Sequence, residues 1–207
     1  MKLYDYFRSS AAYRVRIALN LKGVAYESVP IHLVKGEQSA PDYLAVNPQG
    51  RVPALAVDGT VLVQSPAILE FLDERFPEPP LLPGDPLQRA RVRAVAALIG
   101  CDIHPLNNLA VLRRLKAMGH EQSAIDEWYR HWVVTGLEAV EAMIDGGPFC
   151  FGGTPTLADL YLVPQVFNAR RFSVPLDPYP KIRGADDACL ALPAFRDAAP
   201  EAQPDAA

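Results

Sequence analysis

Residues 77–86 read PEPPLLPGDP, and this stretch limits the possible folds more than any other. Five prolines and a glycine within it cannot continue a helix or a central strand. Before it, strand-like and helical segments alternate. After it, the periodicity is helical and no convincing strand is found. The expected division is a first domain over residues 1–80, a linker over 81–86 and a second, all-helical domain over 87–207.

The first part reads element by element. KLYDYF is a short aromatic strand. AYRVRIALNLK is a helix with Val15, Ala18 and Leu19 on one face, Arg16 and Asn20 on another, and Gly23 at C′. YESVPIHLV turns Val29, Ile31 and Leu33 inward, and its Pro30, which cannot donate to a ladder, assigns it to an edge. SAPDYLAVNPQG is irregular, with room for a short helix. VPALAVDGTVLVQ is a hairpin turning at Asp58-Gly59. SPAILEFLDERF is a helix with Ser65 as N-cap and Pro66 at N1. The order β-α-β-(loop or α)-β-β-α is thioredoxin-like: a parallel β-α-β half, then an antiparallel hairpin and a helix, giving a mixed four-stranded sheet.

The second part is a helical bundle. QRARVRAVAALIGCDI is apolar at Val92, Val95, Ala96 and Ile99. Pro105 breaks the helix before LNNLAVLRRLKAM. EQSAIDEWYRHWVVTGLEAVEAMI is a long amphipathic helix. TLADLYLVPQVFNARRF opens with Thr156 and Asp159 spaced as a capping box, and Pro164 is expected to bend it. The tail APEAQPDAA is of low complexity.

Composition excludes several functions. A net charge of −4 argues against nucleic acid and anionic membranes as bulk partners. No apolar run reaches the ~20 residues of a membrane span. Cys101, Cys150 and Cys189 are odd in number and far apart, so neither a disulfide framework nor a metal site is expected. Charged Lys2, Asp5 and Arg8 interrupt any signal-peptide core, and a cytoplasmic protein is the simplest reading.

Within this frame a few residues carry possible chemistry. Ser9 and Ser10 stand where the first strand gives way to the first helix. A helix N-terminus offers unpaired N–H groups and about half a positive charge, so a serine there either caps the helix or holds a reactive anion. Arg8, at the C-terminal end of a parallel strand, is either solvated or a fork for a carboxylate. Gln64 and Ser65 precede a helix and could cap it, bind a carboxylate, or both. Gln38 reads locally as a loop residue, His104 as a packing histidine beside Pro105, and Arg170 and Arg171 as a solvated pair.

YFRSSAAYRVRIALNLKG, NPQGRVPAL, QSPAILEFL, DIHPLNNL and TLADLYLVPQVFNARRF together resemble the cytosolic glutathione transferases. They are most similar to the zeta class, which includes maleylacetoacetate isomerase and the glutathione-dependent maleylpyruvate isomerases. The resemblance covers nearly the whole chain. It implies glutathione as cofactor and assigns roles. Ser9, supported by Ser10, would stabilise the glutathione thiolate. Val52, before a cis Pro53, would pair with the cysteinyl backbone. Gln64 and Ser65 would hold the γ-glutamyl carboxylate, and Gln38, His104 and Asn108 would lie near the tripeptide. Arg8, His104 and Arg171 would bind substrate. A homodimer is also implied. Two positions depart from the family pattern. Ala11 stands where Ser-Ser-Cys is usual, so no cysteine chemistry is available there. Ala110 stands where many relatives carry arginine, leaving Arg113 and Arg114 one turn on to compensate.

The expected activity is isomerisation of a small dianionic maleyl diketo acid to its fumaryl isomer in aromatic catabolism, with glutathione returned unchanged. The alternatives are a transferase that conjugates glutathione or dehalogenates α-halo acids, and a catalytically silent binding module. The joint presence of Ser9, Val52-Pro53, Gln64-Ser65 and His104 argues against the last.

Overall fold

The computed structural model describes residues 1–206. The chain divides into two compact units. One is Met1–Pro80 together with the segment that begins at Leu190, and the other is Leu81–Cys189.

The first unit contains β1 (Lys2–Asp5), α1 (Ser10–Leu21), β2 (Glu27–Pro30), α2 (Pro41–Val46), β3 (Ala54–Val57), β4 (Thr60–Val63) and α3 (Ser65–Arg75). The sheet order is β2-β1-β3-β4, with β2 parallel to β1 and the other pairs antiparallel. This is the mixed thioredoxin-like sheet expected, with Pro30 on an edge strand. The hairpin turns on Asp58 and Gly59 at φ +49° and +77°, as a type I′ turn requires. Past the Lys22 C-cap, Gly23 closes α1 at C′ with a φ of +64°. The Val24 and Gly23 N–H groups bond the Leu19 and Asn20 carbonyls, a Schellman closure.

Two local expectations are corrected. Gln64, not Ser65, is the N-cap of α3, and Ser65 is its first residue. Arg16, read on a different face of α1 from Val15, Ala18 and Leu19, is buried as they are; it is 0 % exposed. Its guanidinium bonds both Asp5 carboxylate oxygens at 2.8 Å and the Phe7 and Ala198 carbonyls at 2.9 Å. A charge can be buried there only because every donor edge meets an acceptor. The low-complexity tail is also structured, with 3₁₀ turns at Pro200–Ala202 and Pro204–Ala206.

The second unit opens with α4 (Pro86–Ala97), where Asp85 caps the Leu87 and Gln88 N–H groups. Val92, Val95, Ala96 and Ile99 turn inward as expected. A π-helical segment, Leu98–Ile103, leads into a turn at Pro105, and α5 (Leu109–Ala117) restarts from Asn108. α6 (Gln122–Met143) buries Ile125, Tyr129, Val133, Leu137 and Val140 at helical spacing. It passes close to the π-helical segment, since a Cβ on Gly136 would collide with Ile103. α7 (Leu157–Arg171) starts from the expected capping box, with Asp159 accepting the Thr156 N–H at 2.8 Å, and continues past Pro164. α8 (Pro180–Ala191) and α9 (Pro193–Arg196) follow. Among the described residues, no strand follows β4, and no helix is long and apolar enough to cross a membrane.

Burial fixes the alkaline limit of stability. The Cys150 and Cys189 thiols are pushed well above 9.0, first by desolvation and then by the neighbouring Asp159 carboxylate. Desolvation pushes the Tyr43 phenol from 10.0 to about 12. The folded state therefore holds these protons more tightly than the unfolded chain. Stability is fully present below pH 9 and falls as pH rises, by about 1.4 kcal/mol per pH unit for each group in its window. Denaturant titrations at several pH values should show the decline steepening above pH 9. Cys189→Ala should make it shallower by about one group's share.

Candidate active site

Strand register brings the expected first-unit residues to one end of the sheet. β1 runs towards Asp5, so Phe7, Arg8, Ser9 and Ser10 follow at its C-terminal end. Tyr4 pairs with Ala54, which puts Val52-Pro53 at that same end. Ala54 pairs with Val63, which adds Gln64 and Ser65. Asp5 pairs with Pro30, so the loop carrying Gln38 also leaves there. This is the end of an open sheet where ligands bind. Beneath it, Tyr6, Tyr43 and Val52 form a small buried cluster with Tyr4, Phe7, Ile31, Leu33 and Val46 packed on it.

Ser9 is the N-cap of α1, its Oγ accepting the Ala12 N–H at 3.2 Å. A hydroxyl that accepts through a lone pair still has its O–H to donate. Cap and anion donor are therefore compatible roles for one half-buried side chain. Ser10 is only 7 % exposed and lies within the helix. Arg8 is exposed. Its Nη2 donates to the Tyr6 hydroxyl at 3.0 Å, and its guanidinium lies 5.0 Å from the centre of the Phe7 ring.

The Val52-Pro53 peptide is cis. The loop before it is held by its carbonyl at Arg51, which accepts from the Tyr43 hydroxyl at 2.6 Å and from Asn47 Nδ2 at 2.7 Å. Gly50, at φ +59°, lets this loop approach the Gln38 segment, because a Cβ there would lie 2.9 Å from the Gln38 carbonyl oxygen. Gln38 Oε1 is buried, with no hydrogen-bond partner among the described residues. Gln64 sits at φ +71° and its Nε2 donates to Gln49 Oε1 at 2.6 Å. Ser65 Oγ, 3 % exposed, accepts from Arg14 Nη1 at 3.2 Å and likewise retains a proton to donate.

In the second unit, His104 is half-buried where the π-helical segment ends. Asn108 caps α5, its Oδ1 accepting the Ala110 N–H at 3.0 Å. Ala110, Arg113 and Arg114 are exposed on α5. Arg171 ends α7 and lies over Phe172, whose ring stacks on Tyr129 at 3.5 Å. Arg170 is committed to Asp186 at 2.6 Å. Among the described residues, neither Arg8 nor Arg171 has a carboxylate partner, so both can pair with an incoming anion.

Sequence reasoning missed Arg14, a buried arginine behind Ser65. In YRVRIAL it looks like any solvated helix residue, and its partner is 51 residues away.

The chain matches the glutathione S-transferase N-terminal domain over residues 1–74 and the glutathione S-transferase C-terminal domain over residues 122–196. It is 57 % identical to maleylacetoacetate isomerase of Pseudomonas aeruginosa, over 99 % of this chain and 98 % of that one. It is 54 % identical to a maleylpyruvate isomerase described as a bacterial zeta-class glutathione S-transferase, whose holo structure superimposes with a TM-score of 0.97 over 100 % of both chains. Maleylacetoacetate isomerase from Anaeromyxobacter dehalogenans, solved with glutathione in its active site, gives 48 % identity and a TM-score of 0.90 over 100 % of this chain and 97 % of that one. The chain thus belongs to the glutathione S-transferase family, in the zeta class with the maleylacetoacetate and maleylpyruvate isomerases.

Proposed function

We propose that this protein is a glutathione-dependent isomerase that converts a maleyl diketo acid, maleylacetoacetate or maleylpyruvate, to its fumaryl isomer, and that it works in the cytoplasm as a homodimer. The observation that carries this reading is Ser9. In a chain 57 % identical along its length to a maleylacetoacetate isomerase, it caps α1 with a hydroxyl proton still available at the ligand end of the sheet.

The first unit's donors and acceptors fit glutathione. The Ser65 hydroxyl, backed by Arg14, and the first N–H groups of α3 suit the γ-glutamyl carboxylate. The Val52 backbone beside the cis peptide suits the cysteinyl amide. The orphaned Gln38 Oε1 suits an N–H donor. Held by Ser65, Val52 and Gln38, glutathione would supply a thiolate nucleophile able to add reversibly to the cis double bond and so allow rotation about it.

The protein's own part is electrostatic. The Ser9 hydroxyl and the N-terminus of α1 favour an anion over its protonated form. Arg8 and Arg171 hold the two carboxylates and counter the negative charge that builds on the substrate's oxygen. His104 and Asn108 orient the bound molecules. Purified protein incubated with each maleyl acid and followed by proton NMR tests the reading. The trans product should appear with glutathione and not without it; no conversion of either acid refutes it.

A further inference from the structure

We propose that the last turn of the chain positions the Arg8–Ser9 loop, with Asp205 as the positioning residue, an inference that rests on the catalytic reading of that loop. Phe7 lies between β1 and α1 and has no ladder or helix partner, so its peptide groups must bond elsewhere. Asp205 Oδ2 accepts the Phe7 N–H at 3.0 Å. Arg16 Nη2 donates to the Phe7 carbonyl at 2.9 Å. Both polar groups of the residue before Arg8 are thus held from outside the loop.

The hold extends to Arg8 itself. Its guanidinium lies over the Phe7 ring, and that ring meets Tyr6 edge-on at 4.8 Å. Its Nη2 also bonds the Tyr6 hydroxyl. A shift of Phe7 therefore moves the surface on which Arg8 rests. The tail is in turn anchored along α1. The Tyr13 hydroxyl donates to the Phe195 carbonyl at 3.3 Å, Arg16 Nε to the Ala198 carbonyl at 2.9 Å, and Asn20 Nδ2 to the Ala194 carbonyl at 3.1 Å. Gln203 Nε2 stiffens it internally by bonding the Asp197 and Ala199 carbonyls. The tail is thus built into the site's frame, 198 residues from the loop it holds.

Asp205→Ala removes the acceptor; Asp205→Asn removes the charge and keeps an acceptor. With glutathione saturating, Asp205→Ala should raise KM for the maleyl acid about 3- to 10-fold, the value of one hydrogen bond, with a smaller change in kcat. Asp205→Asn should stay within about 2-fold of the parent. Amide hydrogen exchange over residues 6–9 should accelerate about tenfold in the alanine variant and not in the asparagine variant, with α1 unchanged in both. Parental KM in Asp205→Ala overturns the proposal, as does equal impairment of both variants or unaltered exchange at Phe7. If the parent protein fails to isomerise either maleyl acid, the functional reading falls. The exchange comparison still decides whether Asp205 holds Phe7.

Discussion

Ser9→Ala should lower turnover of the maleyl acid by roughly 10- to 100-fold at neutral pH while changing glutathione affinity only slightly. A hydrogen bond to a charged acceptor contributes about 1.5–3 kcal/mol, and it is lost only from the anionic form of the bound thiol. The same energy appears as a pH shift. The acidic limb of the rate profile should move about 1–2 units to higher pH, because without the hydroxyl the thiol ionises later. Removing the side chain also removes the cap on the Ala12 N–H, so stability should fall by about 1 kcal/mol. Ser10→Ala should cost less turnover, since Ser10 is buried within α1. An active Ser9→Ala beside an inactive Ser10→Ala would reverse the assignment.

Arg8→Ala and Arg171→Ala should each raise KM for the maleyl acid by about tenfold and leave glutathione binding within about twofold. An ion pair between exposed groups contributes only about 0–1 kcal/mol in water. A bidentate pair that substrate binding desolvates contributes more, and a dianion needs a partner at each end. Both arginines lack a carboxylate partner among the described residues, so neither has to break an existing pair. Arg170→Ala is the control. Its pairing with Asp186 makes it structural, and its loss should lower the melting temperature with KM unchanged. Steady-state kinetics with separately measured glutathione binding decides the matter. Parental KM in both variants would move the carboxylate contacts to Arg113 and Arg114.

Features set by local chemistry were legible in the sequence. Pro30 marked an edge strand, Asp58-Gly59 a hairpin, Gly23 a helix end, and Thr156 with Asp159 a capping box. Each acts on its own few residues, so its signal is written beside it. The Ser65 cap was read one residue late because Gln64, at a positive φ and with no side-chain cap bond, occupies the N-cap position, its carbonyl accepting the Ile68 N–H.

Long-range partners left no such trace. Arg16 gave no local sign of burial because its acceptors are an aspartate on β1 and a carbonyl 182 residues away. Arg14 looked the same, and the tail looked featureless because its bonding runs to residues near the other end of the chain. The site lies between these cases. Ser9, Val52-Pro53 and Gln64-Ser65 each read locally as a cap, a tolerated proline and a cap. Only the resemblance joined them, and the physical reason they converge is a register, Tyr4 with Ala54 and Ala54 with Val63, that no single motif displays.

The central claim is that glutathione acts as a returning cofactor and not as a consumed co-substrate. The most direct measurement supplies the maleyl acid in large excess over glutathione and follows product and free thiol together. The account predicts complete conversion to the fumaryl acid with the thiol concentration unchanged at the end. Conversion that stops when product equals the glutathione supplied, with one thiol lost per product, would contradict it and identify a conjugating transferase.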